Sequence, residues 1–259
     1  MDFTYSAYLK LDKILNAQSL ESPDEHDETL FIIIHQVYEL WFKQLIHEGR
    51  FLAASLKSAD HSLSIHTLNR MLKVMKTLVS QVDILETMTP LSFTSFRSYL
   101  KSSSGFQSIQ FRLFEIMLGK RSPELIAKLP AAEVEQWELN THCSQPPLYD
   151  CLLVGIQKSG FHIPEEVLSR DFSETYEGNE EVRNVILEIY RKKGELARIL
   201  ENFVDLDEGI QEWRYRHVKM VERTIGHMPG TGGSAGVEYL KNTLFQPFFP
   251  DLWKVRGRF

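Results

Sequence analysis

Apolar residues recur at intervals of three and four through most of the chain, the spacing that lays them along one face of an α-helix. Between about Asp27 and Ser58 they fall at Leu30, Ile33, Ile34, Val37, Leu40, Trp41 and Leu45, which predicts a long amphipathic helix entered from a loop at Pro23 and Asp24. Ser64 to Thr87 repeats the pattern through Leu68, Met71, Leu72, Met75, Leu78, Val79, Val82 and Leu85. Thr89-Pro90 then supplies a cap and a first-turn proline for a short helix over Leu91 to Leu100. The run Ser102-Ser103-Ser104-Gly105 interrupts it, and Phe106 to Leu118 resumes with Ile109, Leu113 and Ile116 on one side. Residues 119–171 carry scattered prolines, including Pro146-Pro147, and short pieces such as Ala131 to Leu139, so they read as an irregular helical excursion or lid. Glu180 to Phe203 and Asp207 to Ile225 read as two further helices, with Gly226 as the stop. No window alternates strictly, no repeat occurs and no linker divides the 259 residues. The expectation is one all-α domain, a helical bundle over residues 1–259.

Composition narrows the function. Lys and Arg total 29 against 35 Asp and Glu, a formal charge of -6, which argues against an electrostatic grip on nucleic acid or an anionic membrane. Only two cysteines occur, Cys143 and Cys151, too few for a disulfide framework and not in a C-x-x-C pair. The opening MDFTYSAYLKLDKIL has no basic stretch followed by an apolar one, and no apolar run approaches a membrane span. A cytoplasmic protein with a small neutral or zwitterionic partner is expected.

Several chemistries lack their spacing. None of the nine histidines has a glutamate three residues before it, as a carboxylate-bridged di-iron bundle requires, and H-E-x-x-H is absent. The run Gly230-Thr231-Gly232-Gly233-Ser234-Ala235-Gly236 follows a helix rather than a strand and lacks a Gly-Lys-Ser/Thr ending, so its plain reading is a helix stop and a flexible loop.

Two histidines stand out. His35 lies in an apolar helix one turn after Phe31 and two turns before Phe42, and His217 shares a stripe with Ile210, Trp213 and Val221, flanked by Arg214 and Arg216. Each alone reads as a core imidazole satisfied by a backbone carbonyl. Two on separate helices, without carboxylate or thiolate companions, also suit a haem pocket in which one binds iron and the other faces the reacting ligand. Phe93 and Arg97, one turn apart, place a ring beside a guanidinium, an arrangement suited to an aromatic amino acid, although an arginine so spaced is commonly a surface residue whose stem covers the core. Ser104-Gly105 offers a hydroxyl and an approachable backbone amide, and Thr231 a second hydroxyl.

These segments together are similar to one family. His26-Asp27-Glu28 through Phe31 to Gln36 and on to Lys43, Phe96-Arg97 with Ser103 to Ser108, Trp213-Arg214 with His217, and Gly230 to Ser234 with Gly236, joined by Tyr5, Tyr8 and Leu9 to Asp12, closely resemble the tryptophan 2,3-dioxygenases, in collinear order over nearly the whole chain. The resemblance implies an all-helical protein with haem b as cofactor and O2 as co-substrate, acting on L-tryptophan to give N-formylkynurenine, the first step of tryptophan catabolism by the kynurenine route. It implies a homotetramer in which residues 1–22 of one subunit close the site of its neighbour, bringing Tyr5, Tyr8 and Leu9. By resemblance His217 is the axial iron ligand, His35 faces the indole nitrogen, and Arg97 holds the substrate carboxylate. Thr231 with Gly105 receives the ammonium, Phe31 and Phe93 line the indole pocket, and Ser104 lies near the haem edge. Ser102 stands where proline is expected, which implies a less rigid loop. A related haem monooxygenase acting on a substituted tryptophan, or a haem-binding helical protein without turnover, remain the alternatives.

Overall fold

A computed structural model describes residues 3–226, 228–231 and 236–259, apart from the side chains of Leu125 and Tyr239. Two short helices, α1 (Tyr5–Leu9) and α2 (Leu11–Ile14), precede the long pair α3 (His26–Lys57) and α4 (His61–Leu85). There follow α5 (Pro90–Arg97), α6 (Ile109–Leu118), α7 (Pro123–Ile126), α8 (Ala131–Gln136), α9 (Leu139–Cys143), α10 (Leu148–Lys158) and α11 (Glu165–Leu168). The chain ends with α12 (Glu180–Lys192), the long α13 (Glu195–Ile225), α14 (Val237–Lys241) and α15 (Pro250–Lys254). Among the described residues there is no strand, as the 3.6-residue periodicity implies.

Side-chain caps set several boundaries. Thr89 Oγ1 accepts from the Ser92 amide at 3.1 Å with Pro90 in the first turn of α5, and Ser108 Oγ accepts from the Phe111 amide at 3.1 Å at the start of α6. Between them the loop is closed by a capping box, with Ser104 Oγ accepting from the Phe106 amide and Gln107 Oε1 from the Ser104 amide. The serine run therefore ends in a 3-10 turn, Gly105–Gln107, where the periodicity predicts continuous helix from Phe106.

The bundle is built on α4, which packs along both α3 and α13, with α6 and α10 laid against α3. Ile34, Tyr38, Phe42, Leu45, Leu52 and Leu56 of α3 meet Leu68, Met71, Met75, Leu78 and Val82 of α4, and α13 adds Ile199, Leu200, Phe203, Leu206 and Ile210 to the same contiguous core. Two of the apolar positions expected to face inward on α3, Ile33 and Leu40, are instead exposed. They lie one and two residues off the buried Ile34–Tyr38–Phe42 line, where a helix has already turned away from its neighbours.

Two readings need correction. The break expected after Phe203 lies ten residues earlier: Lys193 takes a left-handed conformation at φ 51° and Gly194 caps α13, while Val204 and Leu206 are buried inside one uninterrupted helix. Asp207, expected to open the second helix, lies inside α13, where it is buried and its carboxylate accepts from the Phe248 and Phe249 amides and the Trp253 indole, fastening the C-terminal segment to α13. Residues 119–171, expected to be an irregular lid, are irregular through α9, but α10 is a core helix. Leu148, Tyr149, Cys151, Leu152, Leu153 and Ile156 are all buried, and Gly155 sits so close to α3 that a Cβ there would lie 2.3 Å from the Leu56 carbonyl oxygen. Among the described residues no helix is long and apolar enough to cross a membrane.

Candidate active site

One cavity, of about 270 Å3, opens between α3, α5, the 103–108 loop and α13. Phe31, His35, Phe93, Arg97, Ser104, Gly105, His217 and Thr231 all contribute to its wall, so residues far apart in sequence line one cavity. Of the glycine run, Gly232, Gly233, Ser234 and Ala235 lie outside the described residues.

The imidazole of His35 is fixed by its own helix. Its Nδ1 lies 2.6 Å from the Phe31 carbonyl oxygen, one turn back, and since a carbonyl only accepts, Nδ1 carries the proton. Burial lowers the His35 pKa below 6.5 against the opposing pull of that carbonyl, so the ring is neutral and Nε2 presents a lone pair to the cavity. Phe31 packs on the ring with centroids 4.2 Å apart and meets Phe93 and Phe96, which cross each other nearly edge-on at 83°. Phe96 is fully buried and holds the other two rings in place.

His217 projects from α13 into the same cavity. Neither ring nitrogen makes a hydrogen bond among the described residues, so its partner is not the backbone carbonyl that a core histidine would take. Burial, reinforced by the nearby His35, pushes its pKa down to about 4, leaving a neutral imidazole with a free lone pair. That is the donor a haem iron requires, and among the described residues no cluster of three or more His, Cys, Asp or Glu offers a competing metal site.

Beside it stands a charge cluster that sequence reasoning missed. Glu115 is buried and paired with Arg112, with Lys120 at 3.3 Å and with Arg214 at 2.6 Å. Burial opposes ionisation of Glu115, but the three cations outweigh it and hold the carboxyl below its ordinary range. One carboxylate thus answers three cations, and Arg112 Nε is buried with no partner. Arg112, Glu115 and Arg214 line the cavity, whose surplus positive charge fits the acid side chains of a haem. The sequence signal was there, an Arg and a Glu three apart inside the apolar run Ile109 to Leu118, but its partner Arg214 is 99 residues away.

The polar groups at the rim are held by backbone. Arg97 Nη2 donates to the Pro229 carbonyl at 2.6 Å, and Thr231 Oγ1 donates to the Ser103 carbonyl at 2.6 Å, so both tie the segment after α13 to the α5–α6 connection. Gly105 is exposed, and a Cβ there would meet no atom of the described residues within 4 Å. Tyr5, Tyr8 and Leu9 do not reach this cavity within the chain; they lie exposed on α1, where Tyr8 packs on Phe3 with centroids 5.2 Å apart.

The structure is an all-helical bundle enclosing a cavity walled by two neutral imidazoles, an aromatic cluster and a guanidinium, a donor set that suits a haem protein. Comparison with known proteins narrows this. The family model of tryptophan 2,3-dioxygenase matches residues 1–132 and 184–259. A tryptophan 2,3-dioxygenase of Anaeromyxobacter sp. (strain K) is 52% identical over 254 residues, 98% of this chain and 95% of that protein. Those of Herpetosiphon aurantiacus and Bacillus thuringiensis subsp. konkukian are 47% and 41% identical, over 98% and 99% of this chain and 97% and 93% of their own lengths. The chain belongs to the tryptophan 2,3-dioxygenase family.

Proposed function

We propose that this chain is a haem-dependent enzyme that adds both atoms of O2 across the C2–C3 bond of the indole of L-tryptophan, giving N-formylkynurenine. The observation that carries the reading is the pairing of two neutral imidazoles from separate helices in one apolar cavity with Arg97 at its rim. Bound haem supplies the iron that takes up and activates O2. His217 holds that iron, and the surplus charge of Arg112 and Arg214 pairs with the acid groups of the cofactor. Ser104 lies at the haem edge.

The remaining residues bind and orient. With Nδ1–H given to the Phe31 carbonyl, Nε2 of His35 accepts the indole N–H, which fixes the bicyclic ring with its C2–C3 bond toward the centre of the cavity. Phe31 and Phe93 flank the ring. Arg97 exchanges the Pro229 carbonyl for the substrate carboxylate, a bidentate charged pair in place of a single bond, and Thr231 with Gly105 receives the ammonium. An analogue lacking the carboxylate leaves Arg97 on the Pro229 carbonyl and forfeits the charged pair, at a cost of up to roughly 1.5–3 kcal/mol.

The chain acts as one domain and assembles as a homotetramer in the cytoplasm, with Tyr5, Tyr8 and Leu9 of one subunit covering the cavity of another. Their exposure on α1 is what a helix reserved for a neighbour looks like. Loading purified protein with haem tests the reading. A Soret band that is lost in His217→Ala, with turnover of L-tryptophan in air, is the expected result; a wild-type chain that takes up no haem overturns it.

A further inference from the structure

Ligating imidazoles are ordinarily oriented by a hydrogen bond from the ring nitrogen that does not touch the metal. His217 has none among the described residues, yet its orientation is defined: the ring lies 6° from parallel to the indole of Trp213, one turn earlier on α13, with centroids 5.5 Å apart. Trp213 is in turn held by rings from two other helices. Phe42 of α3 meets it at 86° and 5.7 Å, Tyr38 of α3 at 61° and 6.1 Å, and Phe111 of α6 at 51° and 5.0 Å. Its indole N–H is buried without a well-formed hydrogen bond, although the Tyr38 hydroxyl lies within its electrostatic reach. The indole therefore keeps its plane by packing rather than by a polar tether.

We propose that Trp213, clamped by Phe42, Tyr38 and Phe111, is the positioning residue that sets the plane of the His217 imidazole by stacking on it. The inference rests on the reading of His217 as iron ligand. An axial imidazole can rotate about its bond to iron, and its overlap with the iron orbitals changes with that rotation. A parallel indole one helical turn away favours the plane in which the two rings stack. The device differs from a hydrogen bond in a second respect: it fixes orientation without drawing on the ring N–H, so the ligand stays a plain neutral imidazole.

Electron paramagnetic resonance of the haem-loaded ferric cyanide complex reads this directly, because its principal g values follow the plane of the axial imidazole. Wild type and Trp213→Phe, which keeps a flat ring, are expected to give one narrow low-spin signal. Trp213→Leu, which keeps apolar volume but no plane, is expected to give a broadened or split signal at full haem loading, and to pass haem to an apo-globin acceptor roughly tenfold faster. A Trp213→Leu protein with the wild-type signal and transfer rate overturns the proposal. Should that variant not fold, Phe42→Leu, which removes the edge-on contact, is read in the same way, and an unaltered signal there counts against the clamp. A wild-type chain that binds no haem overturns the ligand reading itself, whereas haem-loaded variants with unaltered spectra overturn only the stack.

Discussion

The two sides of the cavity are made differently. The inner wall comes from the middle of the long helices α3 and α13: Phe31, His35, Trp213 and His217 stand on backbone whose hydrogen bonds are internal, and their side chains are fixed by rings and by the Phe31 carbonyl. The rim comes from the end of α5, a serine loop and the segment after α13, where Arg97 and Thr231 hold backbone carbonyls that a substrate must replace. On the proposed function, placing the reactive geometry on rigid elements and the recognition on exchangeable ones would let the substrate close the rim without disturbing the groups assigned to iron and indole.

Substitutions can break this division, and the largest effect belongs to the inner wall. His217→Ala is expected to abolish haem binding and turnover together, read by the absorbance of the loaded protein. Acid is next. His217 and His35 are neutral when folded and ordinary when unfolded, so the unfolded chain binds more protons once the pH falls below 6.5. Their contribution is intact above that pH and is lost as the pH falls toward about 4; for His217 the fall from 6.5 to about 4 corresponds to about 3 kcal/mol. Denaturant unfolding of cofactor-free protein at pH 7 and pH 4.5 should show a smaller acid loss in His217→Gln than in wild type.

Changes at the rim should alter affinity and spare the haem. Arg97→Ala is expected to raise KM roughly 10- to 100-fold, from the 1.5–3 kcal/mol of a charged hydrogen-bonded pair, with the visible spectrum unchanged. Loss of haem in that variant would show the two sides to be coupled. Thr231→Val should raise KM by roughly 2- to 10-fold, less than Arg97→Ala because the ammonium keeps its partner at Gly105. The smallest effect sharpens the division most: Gly105→Ala should leave the unfolding midpoint in place, because its Cβ meets no atom of the described residues, while raising KM.

The same division governs what could be read from sequence. Elements with one apolar face were legible: α3 and α4 begin and end within about three residues of expectation, whereas His35, His217 and Arg97 stood out by spacing only as core or surface residues, and their proposed roles came from the family resemblance. Burial on every side erased that signal in α10, and the Lys193-Gly194 stop was hidden because apolar spacing continues in phase across it. Partnerships that exist only in three dimensions were illegible. Nothing in the chain near Glu115 announces Arg214, nothing near Asp207 announces Trp253, and the exposed Ile33 and Leu40 differ from their buried neighbours only by which helices happen to flank α3.

The central claim is that the inner wall directs both atoms of O2 into one substrate. Ferrous haem-loaded protein given L-tryptophan without air and then 18O2 should yield a product carrying two 18O atoms, the mass of labelled N-formylkynurenine. A main product with a single labelled oxygen, or haem-loaded protein that leaves tryptophan unchanged, would contradict it.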